Sequence, residues 1–192
     1  MPAEVAVASH ISLDSPLGPL TIRAAGGAVI ALDWGRQTEA PGSEQALLAE
    51  AARQLAAYFA EGHFRFDLPL HPRGSVFQRA VWDFMLAIPA GETRTYGDCA
   101  TALAAGGIVE APAGSASAAQ AVGGACGANP IPVIIPCHRI LAAGGRTGGY
   151  SGRGGVVTKR WLLEHEGAWQ PERQGDLFGS SATDRPAAVA NR

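Results

Sequence analysis

A thiol and an imidazole stand side by side at Cys137 and His138. They close the run Ile131-Pro132-Val133-Ile134-Ile135-Pro136-Cys137-His138-Arg139. Thiolate is the nucleophilic form of cysteine, and a neighbouring histidine raises its population at neutral pH. The β-branched apolar residues before the thiol predict a buried strand. Pro136 ends that strand because it cannot donate to a ladder. The sulfur is then expected at the rim of a rigid core with a base beside it. A cysteine in such a place also reads as core filler. Against that reading stands the His-Arg pair that follows, since cations do not trail a core residue without a reason. Asn129 upstream, with His165 and Glu166 downstream, supplies the polar partners that a cysteine nucleophile needs.

The elements that must position these groups follow from patterning. His10 to Asp14 alternates polar and apolar residues, and Leu20–Ala24 and Val29–Trp34 read as strands joined by a turn at Gly26 and Gly27. A helix is expected from Ser43, with Leu47, Leu48, Ala51, Leu55, Tyr58 and Phe59 on one stripe and Gly62 ending it. Phe64–Leu70 reads as a further strand. After the connector His71–Gly74, Ser75 and Gln78 form a capping box. Phe77, Val81, Trp82, Met85 and Ile88 then face one core. Thr95 to Asp98 opens a second helix, through about Ala104. After a loop from Gly106 to Gly114, Ser117 and Gln120 form another capping box, opening a helix that runs to Gly127. Two short helices about a turn suggest a helix-turn-helix. Trp161–Glu166 is a last helix, capped at Gly167. From Gln170 the chain is rich in Pro, Gly, Ser and Ala and reads as disordered.

The 192 residues suffice for one or two small domains with a real core. The N-terminus lacks a signal-peptide pattern, and no apolar run approaches the roughly 18 residues of a membrane span. The three cysteines, Cys99, Cys126 and Cys137, make no metal spacing, and an odd count of free thiols fits a reducing cytoplasm. No metal and no membrane partner is expected. Residues 1–70 carry four Arg against eight Asp/Glu, whereas residues 71–168 carry eight Lys/Arg against six. A nucleic-acid partner would therefore meet the second segment, through modest phosphate contact.

The segment Asn129 to Arg139 resembles the active-site signature of the O6-alkylguanine-DNA alkyltransferase family, the methylated-DNA–protein-cysteine methyltransferases. Further matches stand in the same order: Phe77, Gln78, Val81 and Trp82; Gly91, Glu92, Thr95 and Tyr96; Ala121, Val122 and Gly123; Gly149, Tyr150, Ser151 and Gly152; Lys159, Leu162, Leu163, His165, Glu166 and Gly167. The resemblance covers about residues 75–167. It implies an α+β chain: a small α/β, ribonuclease H-like N-terminal domain (1–70), a mainly helical, winged-helix-like C-terminal domain with a helix-turn-helix (71–168), and a disordered tail (169–192). It implies cofactor-free repair of double-stranded DNA carrying O6-alkylguanine or O4-alkylthymine, in which Cys137 keeps the alkyl group irreversibly and each molecule acts once. A cytoplasmic, nucleoid-associated monomer is expected.

In that picture His138 takes the thiol proton through a water, Glu166 orients the imidazole, Asn129 braces the turn, and Tyr96 donates toward the departing base. The Tyr150 hydroxyl and the Ser151 N–H bind O6, and the Ile140 carbonyl accepts from the guanine amine. Cys126 lies where pocket size is tuned. The target base must be extruded from the stack. Small residues on the second helix, including Ala119 and Gly123, permit close approach to the minor groove, with Gln120 and Arg139 also on the DNA side.

Two features depart from the family. Gln120 stands where the family has an arginine that fills the gap left by the flipped base; it is either a weakened finger or simply part of its capping box. Tyr96 and Gln120 are 24 positions apart, a longer helix-turn-helix connection than the family's. In the tail, Gln174, Leu177 and Phe178 resemble the short peptide by which bacterial repair proteins bind the sliding clamp, or they are apolar residues that pack locally. Other functions weighed are an alkyl acceptor for a small molecule with weakened DNA binding, a non-catalytic lesion-binding protein and a transcriptional methylation sensor.

Overall fold

The computed structural model describes residues 8–38, 40, 42–108 and 116–169. Of the surplus connection around Gly106 to Ser115, residues 109–115 lie outside them, as do the tail residues Gln174, Leu177 and Phe178. Trp169, assigned above to the tail, is half-buried with its ring 5.9 Å from the Arg160 guanidinium.

The N-terminal part is a three-stranded antiparallel sheet, β1 (Ser9–Leu13), β2 (Leu20–Ala25) and β3 (Ala28–Trp34), in sequential order. Ala25 pairs with Ala28 across Gly26 and Gly27, whose φ angles of 60° and 76° suit the two-residue hairpin that matches strand twist. Helix α1 (Gln45–Glu61) lays Leu48, Ala51, Leu55 and Tyr58 on the sheet and ends at Gly62 with φ 73°. It starts two residues later than Ser43, without a side-chain cap. Phe64–Leu70 is not a strand. It crosses α1, held by the buried Gln54 amide to both backbone groups of Asp67 (2.9 and 2.8 Å), and meets the sheet only where Pro69 and His71 bond Val29.

In the C-terminal part, α2 (Val76–Leu86) and α3 (Tyr96–Ala105) each start with a complete capping box, Ser75 with Gln78 and Thr95 with Asp98. Trp82 Nε1 donates to the Ala125 carbonyl at 2.9 Å, tying α2 to α4 (Ala116–Gly127). α3 and α4 pack through Cys99, Ala100, Leu103, Ala118, Val122 and Ala125. Because α4 starts at Ala116, Ser117 lies inside its first turn instead of capping it. Gln120 is an exposed mid-helix residue.

The expected strand over Ile131–Ile135 is a buried turn. Ile135 N–H bonds the Ile131 carbonyl at 2.9 Å, and Val133 adopts φ 74°. Apolar content read burial correctly. Pro130, Pro132 and Pro136 remove the donors that a ladder requires. The chain then makes a 3₁₀ turn at Cys137–Arg139 and a short strand β5 (Ile140–Leu141), parallel to β4 (Arg94–Thr95). α5 (Val156–His165) ends in a Schellman motif: Gly167 N–H bonds the Glu164 carbonyl and Ala168 N–H the Leu163 carbonyl.

Candidate active site

Asn129 builds the turn that presents the sulfur. Its Oδ1 accepts from Ile131 N–H at 3.0 Å and its Nδ2 donates to the Ile135 carbonyl at 2.8 Å. Cys137, 5 % exposed, opens the 3₁₀ turn at the floor of a cavity of about 410 Å³. Tyr96 from α3, Gly123, Cys126 and Gly127 from α4, and Gly149, Tyr150 and Ser151 from the loop before α5 form the walls. Six residues expected at the site thus share one cavity, Cys137, Tyr96, Tyr150, Ser151, Cys126 and Gly123, while Asn129 braces the turn that carries the sulfur.

Glycines let the aromatic walls close in. A Cβ on Gly148 would stand 3.3 Å from the Tyr96 ring, and one on Gly152 only 2.3 Å from the Tyr150 ring. Gly152 is therefore a packing requirement, not merely a loop residue. The Tyr150 hydroxyl is buried and has no hydrogen-bond partner among the described residues. A phenol in that state is an unspent donor aimed at a ligand.

Behind the sulfur lies a buried polar network. His138 Nε2 and Glu166 Oε1 are 2.8 Å apart. Arg139 grips the same carboxylate with Nε on Oε2 (2.8 Å) and Nη2 on Oε1 (2.9 Å), and its Nη1 donates to the Ile88 carbonyl. The Tyr58 hydroxyl reaches across from α1 to donate to Oε1 at 2.8 Å. Burial disfavours the carboxylate, but the hydrogen bonds from His138 and Arg139 and the Arg139 charge overcome this and hold its pKa well below the ordinary carboxylate value. An ionised carboxylate only accepts, so His138 Nε2 carries the hydrogen. Burial also pushes the His138 pKa down, against the pull of Glu166. The resting imidazole is therefore neutral, with its lone pair on Nδ1. That atom is buried and unpartnered among the described residues, which suits a general base.

The thiol departs from expectation. Burial pushes the Cys137 pKa up, although the Asn129 amide, Lys159 and the backbone N–H groups of Cys137 and His138 each favour the thiolate. The resting form is the protonated thiol, and histidine adjacency alone does not ionise it.

Three further expectations change. Arg139, placed above on the DNA side, is 6 % exposed and bound twice to Glu166, so it cannot reach a phosphate. The Ile140 carbonyl already accepts from Lys159 Nζ at 2.6 Å, leaving at most its second lone pair for a base. His165 turns away from the sulfur: its Nε2 meets the Tyr58 carbonyl at 2.8 Å, and its ring stacks on Trp161. Gln120 and Ala119 stay on the α4 surface beside the cavity, exposed and half-buried respectively.

Two functional groups escaped the sequence reading. Lys159 was matched to the family without a role. It is fully buried, donates to the Ile140 and Gly149 carbonyls, and holds its ammonium 5.8 Å from the Tyr96 ring centre. Tyr58 read only as part of an apolar stripe. Cys99 packs within α3, burial pushing its thiol up to about 12; burial likewise raises that of Cys126. Among the described residues no three His, Cys, Asp or Glu side chains converge to hold a metal, and no helix is long and apolar enough to cross a membrane.

Comparison with known proteins bears on the same residues. The model of the 6-O-methylguanine DNA methyltransferase DNA binding domain matches residues 76–168, and that of the 6-O-methylguanine DNA methyltransferase ribonuclease-like domain matches residues 9–72. A methylated-DNA–protein-cysteine methyltransferase of Mycobacterium tuberculosis is 41 % identical over 165 residues, covering 83 % of this chain and 93 % of its own. One from Mus musculus is 35 % identical over 198 residues, covering 90 % and 89 %. The crystal structure of Mycobacterium tuberculosis OGT in complex with DNA superposes with a TM-score of 0.66 at 40 % identity, over 83 % of this chain and 92 % of that one.

Proposed function

Since the chain belongs to the 6-O-methylguanine DNA methyltransferase family, whose work is DNA repair by alkyl transfer, we propose that Cys137 is its alkyl acceptor and His138 the base that activates it. The observation that carries this reading is His138 with Nε2 on the Glu166 carboxylate and Nδ1 buried without a partner among the described residues, next in sequence to Cys137 under an open cavity.

Chemistry follows from these states. As an O6-alkylguanine enters, the Cys137 proton passes to His138, and the Glu166 carboxylate stabilises the imidazolium. Lys159 and the Asn129 amide favour the thiolate at that moment. The sulfur forms a bond to the alkyl carbon while the carbon–O6 bond breaks, leaving a thioether and a guanine anion that takes a proton through the Tyr96 hydroxyl, balanced by the proton His138 then releases to solvent. Tyr150 Oη and the Ser151 N–H receive O6. Burial holds the Tyr96 pKa at about 12, so its hydroxyl remains a donor for the departing base. No step regenerates the thiol, so one molecule serves one lesion.

The cavity opens beside α4, whose surface offers Gln120, Ala119 and Gly123. This supports docking of α4 against a duplex groove with the lesion turned into the cavity. All groups of the relay come from one chain, so a monomer suffices, and its place of work is the nucleoid in the cytoplasm. Gln174, Leu177 and Phe178 fit a clamp-binding peptide. A tail peptide showing no clamp binding at high micromolar concentration removes that part.

Mass analysis after incubation with an O6-methylguanine duplex tests the whole. The expected result is one methyl on Cys137, one lesion repaired per protein, and no transfer by Cys137→Ser. Repeated turnover, or repair by that variant, overturns it. Alkylation only by free alkylating compounds, and not by the duplex, would favour a small-molecule acceptor.

A further inference from the structure

We propose that Tyr58 is a positioning residue of the alkyl-transfer site, supplied from the N-terminal part of the chain: its hydroxyl fixes the Glu166 carboxylate and sets how strongly that carboxylate pulls on His138. The proposal rests on the reading of His138 as the base.

The ring of Tyr58 needs no special explanation. It lies on the buried stripe of α1, packed by Phe66 (5.4 Å between ring centres) and by His165 (5.5 Å). Phenylalanine would fill that space. The hydroxyl does need one, because a buried O–H is costly unless paired. It finds its partner 108 positions away, at 2.8 Å, on Glu166 Oε1. That is the oxygen that receives His138 Nε2–H and Arg139 Nη2. Tyr58, His138 and Glu166 are all fully buried, so water cannot substitute for any of these bonds without rearrangement.

Three elements thus fix one carboxylate. The 3₁₀ turn contributes His138 and Arg139, α1 contributes Tyr58, and the end of α5 carries Glu166 itself. The other charged or titratable groups facing this cluster are Lys159 toward His138, and Tyr150 and His165 toward Tyr58. Burial and the Glu166 charge push the Tyr58 ionisation far up, so the hydroxyl stays a donor throughout the working range.

The direction of its effect follows. A donated hydrogen bond draws electron density from Oε1 and weakens that oxygen's grip on His138 Nε2–H. Without it, Oε1 pulls harder, Nδ1 becomes more basic, and the imidazolium persists to higher pH. An imidazolium cannot take the thiol proton, so the acid limb of the repair rate moves upward.

The test compares wild type, Tyr58→Phe and Phe66→Leu as full chains. Phe66→Leu loosens the packing around Tyr58 without touching Glu166. Single-turnover repair is followed against pH, and the His138 Nε2–H proton resonance is recorded by NMR independently of activity. In Tyr58→Phe the acid limb should shift up by on the order of half a pH unit, about a threefold loss of rate on the limb, with the Nε2–H resonance moving downfield. Phe66→Leu should lower the melting temperature and leave both readouts in place. An unmoved resonance in Tyr58→Phe, or equal movement in both variants, overturns the proposal. A moved resonance with an unmoved acid limb upholds the coupling through Glu166 and removes His138 as the base.

Discussion

Replacing Glu166 with Gln keeps the shape of the side chain and removes its charge. The carboxylate is fully buried and accepts two bonds from Arg139, one from His138 and one from Tyr58. The variant leaves a buried guanidinium uncompensated, which costs about 3–5 kcal/mol when one partner of such a pair is removed. Linkage gives a similar size. A carboxyl held at about 2 rather than its ordinary 4.5 contributes roughly 3 kcal/mol to folding at neutral pH. For a carboxyl with a depressed pKa, that contribution is complete above about pH 4.5 and is lost as pH falls toward 2. His138, buried neutral with its pKa also depressed, adds a loss that begins below its ordinary pKa of about 6.5. Urea unfolding from neutral pH down to about pH 3 reads both. Glu166→Gln should lie about 3 kcal/mol below wild type at neutral pH, with the gap closing through the acid range. Single-turnover repair should fall by about 10²–10⁴, since the imidazolium loses its counter-charge. A deficit under about 1 kcal/mol, or a gap that stays constant with pH, refutes the assignment of Glu166 as the charged hub.

Gly152→Ala should force the Tyr150 ring from the cavity wall, because the added methyl would lie 2.3 Å from it. Repair should slow by about tenfold or more, with a stability loss of about 1–3 kcal/mol, and an unchanged rate would show that the ring does not contact the lesion. Gln120→Arg, on the exposed face of α4, should speed repair of duplex DNA; an unchanged or slower rate removes the idea that Gln120 is a weakened finger.

The chemistry was legible where several polar residues lay near the thiol in sequence or fell within a recognisable signature. Asn129, Cys137, His138 and Glu166 are of that kind: Asn129 braces the turn that carries Cys137, and His138 bonds Glu166. Arg139 belongs to the same signature and was misread, because composition reports a charge and not its partner. Its position on the same 3₁₀ turn as His138 aims it at the interior instead of the surface. The roles of Lys159, present in the signature, and of Tyr58 were not legible for a related reason. Each sits within a helix, and its partners, the Ile140 and Gly149 carbonyls for Lys159 and the Glu166 carboxylate for Tyr58, come from other elements that no local pattern specifies. The segment Ile131–Ile135 teaches a different lesson. Hydrophobicity located its burial, but hydrogen bonding decides between strand and turn, and three prolines within seven residues were the available signal. Likewise Phe64–Leu70 alternates like a strand, yet both backbone groups of Asp67 bond a glutamine side chain and the segment reaches the sheet only through Pro69.

A sulfur that can be spent only once has to be defended between encounters. Peroxides and soluble electrophiles consume thiolates far faster than thiols. If Cys137 is the acceptor as proposed, a thiol kept protonated by burial, in a cavity walled by two tyrosines, is chemically quiet in the absence of its target. Arming it only while a damaged nucleotide occupies the chamber reserves each molecule for the one reaction it was made to perform.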